Sequence, residues 1–347
     1  MKIVRFGPDG RTGVLDGVTV VDISLARAKY LAESEGATDA RALAESQVPS
    51  ELRRFIEGGA KALDAAQQAL DYLSGGASDQ KGPGGEALTC PVGEAGLLAP
   101  RPLGSRIACA GGNFADHAAA MAARSAARGG NLGDLGDSVG DLKAAHEKIR
   151  AGGIWGFWKV HRESLAPGGE VIYPARAKRL DYEGEPAIVI GKEGKDIPAS
   201  DILDYVWGVT LLGDWSIRLA SEGGPLKFAT QKNFDTSCSL GPCITVGEAD
   251  PLDIEVETLV NGERRQHFNS KDMVFTFAEY LAHLSTDFTF YPGDIISGGT
   301  AAGTAADSAP LLDDGTPSPE TFLKVGDAVE IKSPSVGTLA ASVVAKP

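Results

Sequence analysis

Apolar and polar residues alternate in two short runs at the start of the chain, positions 2–6 and 13–23, separated by the turn residues Pro8, Asp9 and Gly10. That pattern predicts a hairpin. The period then lengthens. Residues 25–35 carry apolar side chains at helical spacing, and 50–73 sets Leu52, Ile56, Leu63 and Leu70 behind Ser50 as an N-cap, so two helices are expected. The Gly-, Ser- and Asp-rich run 74–85 reads as a linker. A boundary within 75–98 follows, dividing a small N-terminal α+β domain with its linker, 1–90, from a catalytic domain, 91–347.

Beyond that boundary the chain is strand-rich. Strands are expected at 106–110, 186–190, 206–212, 255–260, 294–297, 328–331 and 338–344, with a helix at 275–284. Strands and helices do not alternate regularly, which disfavours a doubly wound nucleotide-binding fold and favours an α+β, β-rich class. Residues 121–153 stand out as an insertion, with a helix expected at 139–151 behind Ser138 as its cap. A long insertion next to a site suggests a lid.

Composition narrows the function. The 347 residues, 43% hydrophobic and 23% charged, suit a soluble globular protein with a sizeable core, and a net charge of −14 argues against nucleic acid, whose phosphates need Lys and Arg. An acidic substrate then requires local positive charge from a metal, Lys or Arg. No apolar run approaches ~18 residues, so no membrane span is expected and the protein is placed in the cytoplasm. Cys90, Cys109, Cys238 and Cys243 are too sparse for a disulfide framework and read as reduced thiols.

Several segments carry candidate chemistry. Residues i and i+2 of a strand share a face, so Glu183 and Glu185, at the start of an apolar run, aim two carboxylates at one point. Such a pair suits a hard cation such as Mg²⁺ or Mn²⁺, or else a solvated strand edge. Asp214 follows another apolar strand, as a third ligand or as a turn residue. Arg218 is placed either to bind a substrate carboxylate or to pair with Asp214. Lys232, in Gln231-Lys232-Asn233-Phe234-Asp235, is flanked by residues that look buried and, pointing into a site, would stabilise an enolate; the alternative is a surface lysine. His117 opens a helix after the glycine break Gly111-Gly112, as a general base or a surface residue. The run Gly298–Thr304 lacks the Lys of a phosphate-binding loop and reads instead as a glycine-lined wall, with Thr300 facing a substrate carboxylate.

In order along the chain, Gly112-Asn113-Phe114-Ala115-Asp116-His117, Asp181-Tyr182-Glu183-Gly184-Glu185, Gly213-Asp214-Trp215-Ser216-Ile217-Arg218 and Gln231-Lys232-Asn233-Phe234-Asp235-Thr236 resemble the fumarylacetoacetate hydrolase family. Tyr291-Pro292-Gly293-Asp294 and Gly299-Thr300 keep the same order. The resemblance implies a mixed β-sandwich or roll catalytic domain, commonly a homodimer, binding Mg²⁺, Mn²⁺ or Ca²⁺ through Glu183, Glu185 and Asp214. It implies Arg218, Thr300, Asn113 and Gly299 around the substrate, Lys232 beside them, and His117 activating water.

Two positions depart from the family pattern. A Glu expected three residues after His117 is Ala120, and a Gln expected three after Arg218 is Ser221. The insertion offers Glu147 to complete the pair with His117. The expected activity is metal-dependent hydrolysis of a C–C bond in a small acidic diketo, acylpyruvate-like substrate of aromatic or sugar-acid catabolism. Decarboxylase, isomerase, hydratase or dehydratase action on a 2-oxo acid is the alternative, and a non-catalytic metal-binding protein a further one.

Overall fold

The computed structural model describes the chain except residues 76–78, 128–140, 221–227 and 314. The fold is α+β and strand-rich, built on one large mixed sheet and a smaller five-stranded one, and neither closes into a barrel among the described residues.

The large sheet has 11 strands, with Cys238–Thr245, Val206–Asp214, Gly184–Ile190, Ile295–Ser297 and Ile107–Ala110 adjacent at its centre. Gly184–Ile190 is buried along its whole length, as its unbroken apolar run requires of a strand covered on both faces. Its side chains divide accordingly: Ile188 and Ile190 enter one core, Ala187 and Val189 the other. This strand runs antiparallel to Val206–Asp214 with Gly184 opposite Gly213 and Glu185 opposite Leu212. The start of one strand therefore meets the end of the other, and carboxylates at both places share one edge. Both glycines are needed where they stand. A Cβ at Gly184 would overlap the Thr258 hydroxyl, and one at Gly213 would lie 3.0 Å from the Trp215 ring.

The N-terminal residues form three strands, Lys2–Phe6, Arg11–Asp16 and Thr19–Asp22, because Gly17, at positive φ, breaks the run expected as one strand. They extend the large sheet, Lys2–Phe6 pairing with Cys238–Thr245. The helix expected over 50–73 is two, Leu52–Glu57 and Gly59–Ser74, with Gly59 at φ +55° between them and Glu51, not Ser50, capping the first. A helix at Ala40–Gln47 was not expected from the pattern.

Within the insertion, the helix Ala115–Ala127 packs against Leu142–Gly152. Asp141 caps the second helix through Ala144 N at 3.0 Å; Ser138, the expected cap, lies outside the described residues. Arg150 latches that helix to the body, donating to Val274 O at 2.7 Å and to Glu279 at 2.6 Å. All four cysteines are free. Among the described residues no helix is long and apolar enough to cross a membrane.

Candidate active site

Glu183, Glu185 and Asp214 converge as the register dictates: all three are buried, and one oxygen from each lies within 4.8 Å of the others. Cations surround two of them. Lys232 donates to Glu183, to Asp214 at 2.7 Å and to Ser216 Oγ at 2.7 Å, committing all three of its N–H groups. Arg218 bridges Glu183 and Asp181, the latter at 2.8 Å, rather than pairing with Asp214. Burial penalises the Glu183 carboxylate, but Arg218 and Lys232 outweigh it and hold its pKa below the ordinary value.

Lys159, which no motif in the sequence marks out, is fully buried and donates to Asp214, to Lys232 O at 2.7 Å and to Ser237 O at 2.9 Å. Its local signal is weak: a single Lys ending the strand Gly156–Lys159 reads as an edge residue.

Glu185 is different. Among the described residues its direct partner is the Ser297 hydroxyl, and no cation pairs with it. Burial, then the charges of Asp214 and Glu183, push its pKa well up. Three clustered oxygen donors, one a buried carboxylate lacking a counter-cation, fit a hard divalent ion such as Mg²⁺ or Mn²⁺.

His117 lines the same cavity as Glu183, Glu185, Arg218 and Lys232. Its Nδ1–H is held by Asp307 Oδ2 at 2.6 Å, which leaves Nε2 for the cavity. Burial disfavours the imidazolium, yet the hydrogen bond and charge of Asp307 win, and the His117 pKa rises above 6.5. Asp307 is itself fixed: Oδ1 accepts from Gly303 N at 3.0 Å, and Arg124 on the His117 helix donates to its carbonyl at 2.6 Å. Asp181 accepts from Ala305 N at 2.7 Å and Ala306 N at 3.0 Å, tying the Asp307 segment to the carboxylate cluster through Arg218.

Glu147 does not take the place expected of it. It is 67% exposed and lies 4.0 Å from Lys143. The inward face of its helix carries Ala145 and Ile149; two residues from either, Glu147 is turned about 200° away. Asp307 fills the role instead. In the sequence Thr304-Ala305-Ala306-Asp307 looks like a helix cap, and Thr304 does cap that short helix, which masked the second use of the same carboxylate.

Asn113 is also reassigned. Both of its amide N–H groups go to backbone, Phe275 O at 2.9 Å and Gly298 O at 3.0 Å, and its oxygen accepts from Phe275 N at 2.8 Å, so it braces loops rather than facing substrate. Gly299 sits at φ +84°, and a Cβ there would lie 3.1 Å from the Ala110 carbonyl oxygen. Thr300 does line the cavity, although its hydroxyl already bonds Gly184 O at 2.9 Å and Gln266 Nε2 at 2.8 Å. Ser221 lies outside the described residues.

The fold is β-rich and holds a buried cluster of carboxylates and lysines, in which Glu183, Glu185 and Asp214 could hold a metal ion, beside a hydrogen-bonded His–Asp pair. Kinship narrows the class. The C-terminal fumarylacetoacetate hydrolase family model matches residues 106–344, and the chain belongs to that family. It is 30% identical over 301 residues, 86% of this chain and 81% of the other, to the human oxaloacetate tautomerase FAHD2B, mitochondrial. Fumarylacetoacetate hydrolase from psychrophilic Exiguobacterium antarcticum superposes over the whole of both chains with a TM-score of 0.67 at 25% identity. Maleylpyruvate hydrolase from Sphingobium sp. SYK-6, solved with manganese(II) and pyruvate, does so with a TM-score of 0.64 at 25% identity.

Proposed function

We propose that the protein is a divalent-metal-dependent hydrolase that cleaves a C–C bond of an acylpyruvate-type substrate. The observation that carries this reading is the His117–Asp307 pair, which opens to the same cavity as the carboxylate cluster. A hydrolase needs a base for water, and Asp307 supplies the orienting carboxylate that Ala120 does not. The manganese and pyruvate complex of the Sphingobium hydrolase supports a divalent ion and a 2-oxo acid head.

Glu183, Glu185 and Asp214 would hold the ion, which when bound would polarise the substrate's adjacent oxygens. Asp307 keeps the proton of His117 on Nδ1, so that Nε2 takes a proton from water as its oxygen adds to the distal carbonyl carbon. The tetrahedral adduct collapses with loss of the C–C bond, and the released electron pair forms the enolate of pyruvate. Lys232 and Arg218 line that end of the cavity, each held in place by the carboxylates around it. The imidazolium returns its proton to the enolate carbon, giving pyruvate and a carboxylic acid.

The kinship to oxaloacetate tautomerases favours a second reading, in which the same base moves a proton between carbon and oxygen without attack by water. Incubation of the Mn²⁺-loaded enzyme with acylpyruvates distinguishes the two. Stoichiometric pyruvate and carboxylic acid are expected; enol–keto interconversion with no C–C cleavage would overturn the hydrolase reading in favour of the tautomerase.

A further inference from the structure

The cavity, about 680 Å³, is lined by two unlike groups of residues. Glu183, Glu185, Arg218 and Lys232 form a charged floor, and Trp155, Phe228, Met121 and Ile149 an apolar wall; Phe157 stands where the two meet, its ring centroid 5.2 Å from Lys232 Nζ. Phe228 meets Trp155 edge-on with ring centroids 5.3 Å apart and lies 5.7 Å from Phe157. Even so, Trp155 stays 47% and Phe228 46% exposed. A cluster of large apolar rings left open beside a polar site marks a place where something apolar is covered on binding.

Trp155 and the helix carrying Ile149 are each bonded to the body of the protein. The Trp155 carbonyl accepts from Gly111 N at 3.0 Å and from the Tyr280 hydroxyl. Its indole lies flat against Gly111, so closely that a Cβ there would overlap the ring. Ile149 belongs to the helix that Arg150 latches to the body.

The charges, by contrast, are spent at the floor. Arg218 is held by Asp181 and Glu183, and Lys232 by Glu183, Asp214 and Ser216. Lys148, the other cation among the described lining residues, has an interaction of its own. A second carboxylate seated against Trp155 and Phe228 would face aromatic rings, with Lys148 the remaining cation in the lining. The volume falls mid-range for sites that enclose drug-sized ligands, far more than a four-carbon dicarboxylate fills.

We infer that the substrate bears a bulky apolar acyl group, aromatic or long-chain alkyl, seated against Trp155, Phe157 and Phe228. The inference rests on the 2-oxo acid reading above for the head of the substrate, and on this wall for its tail.

N-substituted oxamates test the tail apart from the chemistry, because they copy a 2-oxo acid head and lack the acyl–CH2 bond that the proposed hydrolysis breaks. Their binding to the Mn²⁺-loaded protein is measured by calorimetry. Affinity should rise about fourfold per methylene along the N-alkyl series. N-phenethyl oxamate should bind at least about tenfold tighter than N-carboxymethyl oxamate. Trp155→Ala and Phe228→Ala should each pull the ratio of tailed to untailed affinity towards one. A flat alkyl series, tighter binding of the carboxymethyl tail, or no binding of any oxamate overturns the inference. Tail-dependent binding without turnover of any acylpyruvate would sink the hydrolase reading and leave the apolar tail site standing. Turnover with a flat series would do the reverse.

Discussion

Asp307 Oδ2 lies 2.6 Å from His117 Nδ1, joining two residues 190 positions apart into one acid–base unit. Residues acting as a unit are not additive. Asp307→Asn should lower kcat by about 10²-fold, as should His117→Ala, and the double variant should lose little more. Glu147→Gln, on the solvent face, should keep wild-type kinetics. Steady-state kinetics of the four proteins check this; equal losses for Glu147→Gln and Asp307→Asn would return the role to the helix.

The same pair sets a pH dependence. Burial lowers the His117 pKa, the Asp307 hydrogen bond and charge raise it by more, and the net shift is upward from 6.5. A base must be neutral, so the acidic limb of kcat/KM should fall above the ordinary histidine value, and Asp307→Asn should move it to lower pH. The stability linkage has the opposite sense. With the folded pKa above the unfolded one, the pair stabilises fully below the unfolded value and loses that contribution as pH rises through the folded value. Urea midpoints of wild type and His117→Ala across pH measure it.

Glu185 is the carboxylate with no cationic partner among the described residues, and its variants separate metal binding from folding. Mn²⁺ at about 100 times its Kd should stabilise the wild type by about 2.7 kcal/mol. Glu185→Gln should abolish that gain and, in chelator, match or exceed the wild-type Tm because a clustered charge has gone. Thermal melts with and without Mn²⁺ read both. An undiminished metal-dependent shift in Glu185→Gln would remove Glu185 from the ligand set.

Lys159 supports the cluster from behind. Lys159→Met leaves Asp214 with Lys232 as its remaining cation and takes a donor from the carbonyls of Lys232 and Ser237, at a cost of about 1–3 kcal/mol. Denaturant unfolding should register that loss even in metal-free protein. Unchanged stability would mean the ammonium is dispensable to the fold.

The parts legible in sequence are those written in local pattern. Apolar runs mark Ile107–Ala110, Val206–Asp214 and Gly184–Ile190 to within a few residues; the close spacing of Glu183 and Glu185 marks a candidate pair, although Glu183 stands just before the strand and not on it. What escapes is contributed from far along the chain. Asp307 resembles an ordinary capping residue, and Lys159 an ordinary edge lysine; only tertiary packing brings either to the site. Asn113 errs in the other direction. A polar residue in a family motif suggests substrate contact, whereas its amide is consumed by the backbone of Phe275 and Gly298.

The facing pair Gly184 and Gly213 has a consequence for assembly. Sliding one of these strands by a single residue would turn Glu185 from the carboxylate cluster into an apolar interior, and would bring a neighbour's side chain to a point where a Cβ overlaps the Thr258 hydroxyl or crowds the Trp215 ring. A misaligned sheet is thus disfavoured by steric crowding as well as by charge, and the register that closes the central strands is the one that sets Glu185 beside Asp214.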